Sequence, residues 1–148
     1  MASQQNTKSC LDQILRIAAE LVPNKEWHTL FIEGSILGSS TAVKSWYSVV
    51  GTDIRVEFSL FDLDYINQDN DNNMVGNFIE QLREVTYEAA RGAWYIVEIS
   101  FHKSVEQPIV QYNYYDAPRF RRPMSIDAYR KDLKVYPRPA HLMPDWLQ

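Results

Sequence analysis

The apolar residues of this chain change their spacing at Pro23. Before it, Leu11, Ile14, Leu15, Ala18, Leu21 and Val22 recur at helical intervals and form one stripe. Ser9 has the side chain of a helix cap, residues 1–8 read as a flexible lead, and Pro23 with Asn24 stops the helix. After Pro23 the period falls to two. Leu30 and Ile32 mark a strand over 27–37, and Val43, Tyr47 and Val49 mark another over 42–50. Over 54–60, Ile54, Val56, Phe58 and Leu60 alternate with Arg55, Glu57 and Ser59. The turns at 38–40 and 51–53 are too short to carry a parallel crossover, so these strands form an antiparallel meander.

From 62 to 73 the chain is acidic and amidic, and then helical spacing returns in Val75, Phe78, Ile79, Leu82, Val85, Thr86 and Ala89, with Gly92 as a left-handed cap. Segments 94–101 and 109–115 make a second antiparallel pair around the loop 102–108. Ser125 caps a short helix over 126–135 that places Ile126, Tyr129 and Leu133 on one face. Pro137, Pro139 and Pro144 forbid regular structure beyond it, while Leu142, Met143, Trp146 and Leu147 favour a tail docked on the body. The expectation is an α+β fold in one domain spanning 1–148. An antiparallel sheet of about five strands is flanked by two main helices, a short C-terminal helix and a docked, proline-rich tail.

Composition narrows the functional classes. A net charge of −4 and a pI near 5.3 give no basic footprint for direct nucleic-acid binding. No apolar run approaches the roughly 18 residues of a membrane span, and the lone Cys10 makes no internal disulfide, so a cytoplasmic protein without membrane contact is expected. No G-x-S-x-G, H-E-x-x-H or glycine-rich phosphate loop is present. His28, His102 and His141 stand singly and read as structural; Cys10 reads as a buried structural thiol. Residues 69–80 place oxygen ligands at several positions of a calcium-loop template, but Met74 occupies its glycine position and no helix enters the loop. No catalytic residue, metal site or cofactor is therefore assigned.

Charge is segregated: residues 53–88 carry a balance of −7 and residues 119–138 a balance of +5. One reading is that the two neutralise each other across the fold or lie as solvated faces. Alternatively, Asp62, Asp64, Asp69 and Asp71, with Tyr65, form an acidic patch that meets a basic partner. A second candidate surface is the run Tyr112, Asn113, Tyr114, Tyr115 and Asp116. Successive side chains on a strand point to opposite faces, so some tyrosine there must lie outside one core, against a partner or under the tail.

The order of several strings resembles the YezG-like family of bacterial immunity proteins, which includes the EsaG antitoxin. The strings are a first helix leading to Pro23 and Glu26-Trp27, a second leading through Gly92 to Trp94, and the run Tyr112 to Asp116. Asp132-Leu133, Tyr136-Pro137-Arg138 and a closing Met143-Pro144-Asp145-Trp146-Leu147 complete the set. The chain departs from the family at Ala93, where relatives often have proline, and at Asn113, where they are commonly acidic. The resemblance implies a small cytosolic protein that neutralises a cognate secreted toxin, in several cases a nuclease, without being an enzyme. Asp62, Asp64, Tyr65, Asp69, Asp71, Tyr112, Tyr114, Tyr115 and Asp116 are the contact residues expected from this sequence's own chemistry. A secretion-effector chaperone is the other class that size and charge fit; whether the protein is a monomer or a homodimer is open.

Overall fold

The computed structural model describes residues 2–60 and 75–147. Helix α1 (Ala2–Leu21) leads into strands β1 (Trp27–Leu37), β2 (Ser40–Val49) and β3 (Val56–Phe58). Helix α2 (Val75–Thr86) is followed by β4 (Ile96–His102), β5 (Ile109–Asn113) and α3 (Ile126–Val135), and two 3₁₀ turns close the chain. The sheet is antiparallel in the order β3-β2-β1-β4-β5. The meander and the later hairpin thus meet at β1, which becomes the central strand.

One face of the sheet holds the main core. Leu30, Ile32 and Ile36 of β1 and Val97, Ile99 and Phe101 of β4 pack with Ile14, Ile17 and Ala18 of α1 and Ile79 and Leu82 of α2. Helix α2 crosses closest at Gly34, where a Cβ would lie 3.0 Å from the Ile79 Cδ1, so glycine there lets helix and strand approach. Cys10 is buried in the same core, and burial pushes its thiol pKa up. Among the described residues, the other face is covered at one end. There Leu37, Tyr95 and Ile96 are roofed by Phe120, Met124 and two side chains of α3, Ala128 and Tyr129.

Several boundaries differ from the sequence reading. Helix α1 begins at Ala2, so Ser9 lies inside it and does not cap it; no breaker interrupts the lead, and Lys8 pairs with Asp12 one turn on at 2.8 Å. Helix α2 ends at Thr86, whose hydroxyl donates to the Leu82 carbonyl at 2.7 Å and accepts the Trp94 indole N–H at 2.8 Å. Gly92 does not close that helix; it turns the chain after a bridge with Glu88. Strand β3 is shorter than its alternation suggests, leaving Ile54 71% exposed beyond the paired residues. Ser125 caps α3 as expected, accepting the Ala128 N–H at 3.2 Å, but the buried side of that helix carries Asp132, while Ile126 is exposed.

The tail is docked. Trp146 packs edge-on against Tyr95 and Tyr129 and donates its indole N–H to the Tyr115 carbonyl. Burial pushes the phenol pKa values of Tyr95, Tyr112, Tyr114, Tyr129 and Tyr136 above their ordinary 10.0. A raised native pKa contributes stability that is complete below the unfolded value and is lost as pH rises through the native one. The urea midpoint should therefore hold to about pH 9 and fall above about pH 10. Tyr95→Phe should soften that fall. An unchanged profile would mean these phenols titrate in water-like surroundings.

Candidate functional site

Beyond the roof, no described residue covers the second face of the sheet. Alternation on the strands brings Phe31 and Glu33 of β1, Trp46 of β2, Glu98 and Ser100 of β4, and Ile109 and Gln111 of β5 to that face, around a cleft of about 250 Å³. The Arg55 guanidinium sits 3.7 Å from the Phe31 ring centroid, a cation–π stack at the cleft wall. Arg119 marks the border of the roof. Its backbone N–H donates to Ser35 Oγ at 2.8 Å, and its guanidinium reaches Glu33 at 2.7 Å and Glu98 at 3.5 Å. Partial burial opposes the Arg119 charge, but the two carboxylates outweigh it and hold its pKa up. Trp, Phe and Arg on one partly exposed surface are residue types enriched at protein interfaces.

The expected contact residues divide. Asp62, Asp64, Tyr65, Asp69 and Asp71 lie outside the described residues, as do positions 69–74 of the calcium-loop template. Tyr112 faces the main core and stacks on Trp94 with centroids 5.4 Å apart. Tyr114 is 7% exposed, with the Arg91 guanidinium 4.5 Å from its ring centroid. Tyr115 and Asp116 are exposed at the end of β5, where Asp116 accepts from the Asn113 amide at 2.8 Å. The tail grips this stretch through its carbonyls: Tyr114 accepts from Arg138, and Tyr115 from Trp146.

Two groupings escape a linear reading. Among the described residues, no salt bridge joins the acidic majority of 53–88 to the basic majority of 119–138. Instead Arg83 and Asp132, each of the minority sign in its own segment, form a buried bidentate pair. Second, His28 and His102 both reach the Thr29 hydroxyl at 2.9 Å, although 74 residues separate them. The signal for that grouping is the β1–β4 register, which places His102 directly opposite Thr29.

No group of three or more His, Cys, Asp or Glu residues among the described residues could hold a metal ion. No helix among them is long and apolar enough to cross a membrane. Comparison with models of known protein families gives no match, and comparison with curated proteins gives none either.

Proposed function

We propose that the chain is a cytoplasmic immunity protein that binds a cognate secreted antibacterial toxin, a nuclease in the first instance, and occludes its active or substrate-binding surface. The observation that carries this reading is the sheet face with Phe31, Trp46 and Arg55, left uncovered by the described residues, which the exposed Tyr115 adjoins through Glu98 and Gln111. Leaving part of these rings in water is unfavourable for the isolated fold, and a protein partner would remove them from it. The resemblance of the ordered strings from Pro23 to Trp146 supports the same class. In this reading the chain acts by coverage, and the acidic run Asp62, Asp64, Asp69 and Asp71 steers a basic partner to it.

The test is capture of the partner from the source cell with tagged protein, followed by co-expression with whatever binds. A tight one-to-one complex with a toxic domain, and restored growth, is the expected result; binding to a non-toxic effector without rescue favours the chaperone class. On that complex, Trp46→Ala should weaken binding by about 2 kcal/mol, the scale of a buried aromatic anchor. Reversing Asp62 and Asp64 to lysine should slow association about tenfold at low salt and flatten its salt dependence. Unchanged association across a salt titration would remove the acidic run from the interface.

A further inference from the structure

Strand β1 opens with a bulge. Trp27 pairs with Val49 and Thr29 with Ser48, so His28 is an extra residue with no partner of its own on β2. The bulge breaks the alternation of side chains, and His28 turns to its neighbour: its Nδ1 lies 2.9 Å from Thr29 Oγ1. His102, across the β1–β4 ladder, places its Nδ1 at 2.9 Å from the same oxygen. The two rings stand 5.9 Å apart at 67°. Both line a cleft of about 450 Å³ with Ser48, Thr52, Asp53 and Arg55. Thr29 is 2% exposed and Ser48 7%, so the cleft has a polar floor shielded from bulk water.

A hydroxyl has one hydrogen and two acceptor sites. With both imidazoles neutral, Thr29 can donate to only one Nδ1, so the other must carry its own hydrogen and donate to Thr29. The two rings are then held in opposite tautomers. With both imidazoles charged, each Nδ1–H donates to one lone pair of the hydroxyl, and each ring keeps an Nε2–H for a ligand. Thr29 therefore serves the doubly charged state as well as the neutral one.

From this geometry we infer that the His28–Thr29–His102 cleft, with Ser48 and Arg55, binds a small oxyanion of the phosphate or carboxylate type. Two imidazolium N–H groups, a hydroxyl and a guanidinium match the acceptors of such a group. The other charges near the pair are Asp53, which lines the cleft and opposes an anion, and Lys103, which lies over the Trp27 ring and donates to the Lys25 carbonyl. A transition-metal ion would need a third ligand close to the two histidines, and the described residues gather no such trio. The site shares Arg55 and Phe31 with the sheet face of the toxin reading, but its test is made on the chain alone and does not depend on a toxin.

The test is an NMR titration of the full chain with sodium sulfate at constant ionic strength, at pH 5.5 and pH 8.0. Sulfate keeps its charge across that range, so a change in affinity reports the protein. Saturable shifts confined to His28, Thr29, Ser48, Arg55 and His102, about tenfold tighter at the lower pH, are expected from charge-assisted hydrogen bonds. His28→Gln and His102→Gln should each weaken binding about tenfold, and so should Arg55→Gln, an exposed position whose change leaves the fold intact. The same titration with inorganic phosphate and with acetate separates the two oxyanion types. Shifts that fail to saturate, that chloride reproduces, or that Arg55→Gln and the histidine variants leave unchanged would overturn the inference. So would zinc binding at these residues without any response to sulfate.

Discussion

Asp132→Ala should destabilise the chain by about 3–5 kcal/mol, the scale expected when one partner of a buried ion pair is removed. Asp132 is 3% exposed and Arg83 1%. The guanidinium meets the carboxylate through two contacts of 2.5 and 2.8 Å, and its Nε–H donates to the Trp94 carbonyl at 2.8 Å. Asp132 also accepts the Gly38 N–H at 2.8 Å, tying α3 to the β1–β2 turn. The rings of Tyr95 and Tyr136 flank the guanidinium at 5.5 and 4.8 Å, leaving it no route to water. Without the carboxylate, a charge stays buried and uncompensated. The double replacement Arg83→Met with Asp132→Leu should recover most of the loss, since an apolar pair of similar volume carries no such charge. Urea unfolding of the three proteins decides it. A loss below about 1 kcal/mol in Asp132→Ala would mean that α3 is not held through this pair.

What the sequence made legible was local. The change of apolar period at Pro23, the short turns, the Ser125 cap and the apolar residues among the tail prolines each act over a few residues, and the strands, α3 and the docked tail follow from them. The rest depends on contacts between distant segments. Nothing near Arg83 marks it as a core residue, because its partner is 49 positions away and each lies in a stretch dominated by the opposite sign. Alternation showed that the tyrosines of 112–115 could not share one face; the β4–β5 register and the grip of Arg138 and Trp146 decided which were covered. Likewise the histidines read as single residues because a bulge and a ladder, both set by pairing, bring them together. Asp132 and the string from Tyr136 to Arg138, which carried part of the family resemblance, have structural work: they fasten the C-terminal segment to α2 and to the segments flanking β4 and β5.

That fastening makes Gly92→Ala the second large effect, at about 3 kcal/mol. Gly92 has φ +93°, and a Cβ there would lie 2.7 Å from Arg138 Cβ and 2.8 Å from its Nε. The left-handed backbone alone costs an alanine about 1–2 kcal/mol. The remainder comes from Arg138, whose guanidinium donates to the carbonyls of Tyr114 at 2.8 Å, Leu142 at 3.1 Å and Ala93 at 2.7 Å. Displacing it breaks bonds that join β5, the tail and the turn before β4, in a place where its Nε already lacks a partner among the described residues. Gly51 separates the two contributions: its φ is +86°, but a Cβ there meets nothing within 4 Å. Gly51→Ala should therefore show the backbone cost alone, and the difference between the two variants in urea measures what Arg138 holds. Equal losses would place the whole cost in the backbone and leave the tail's attachment independent of Arg138. A larger loss at Gly92 is the expected outcome, because Arg138 joins the end of β5, the tail and the turn before β4.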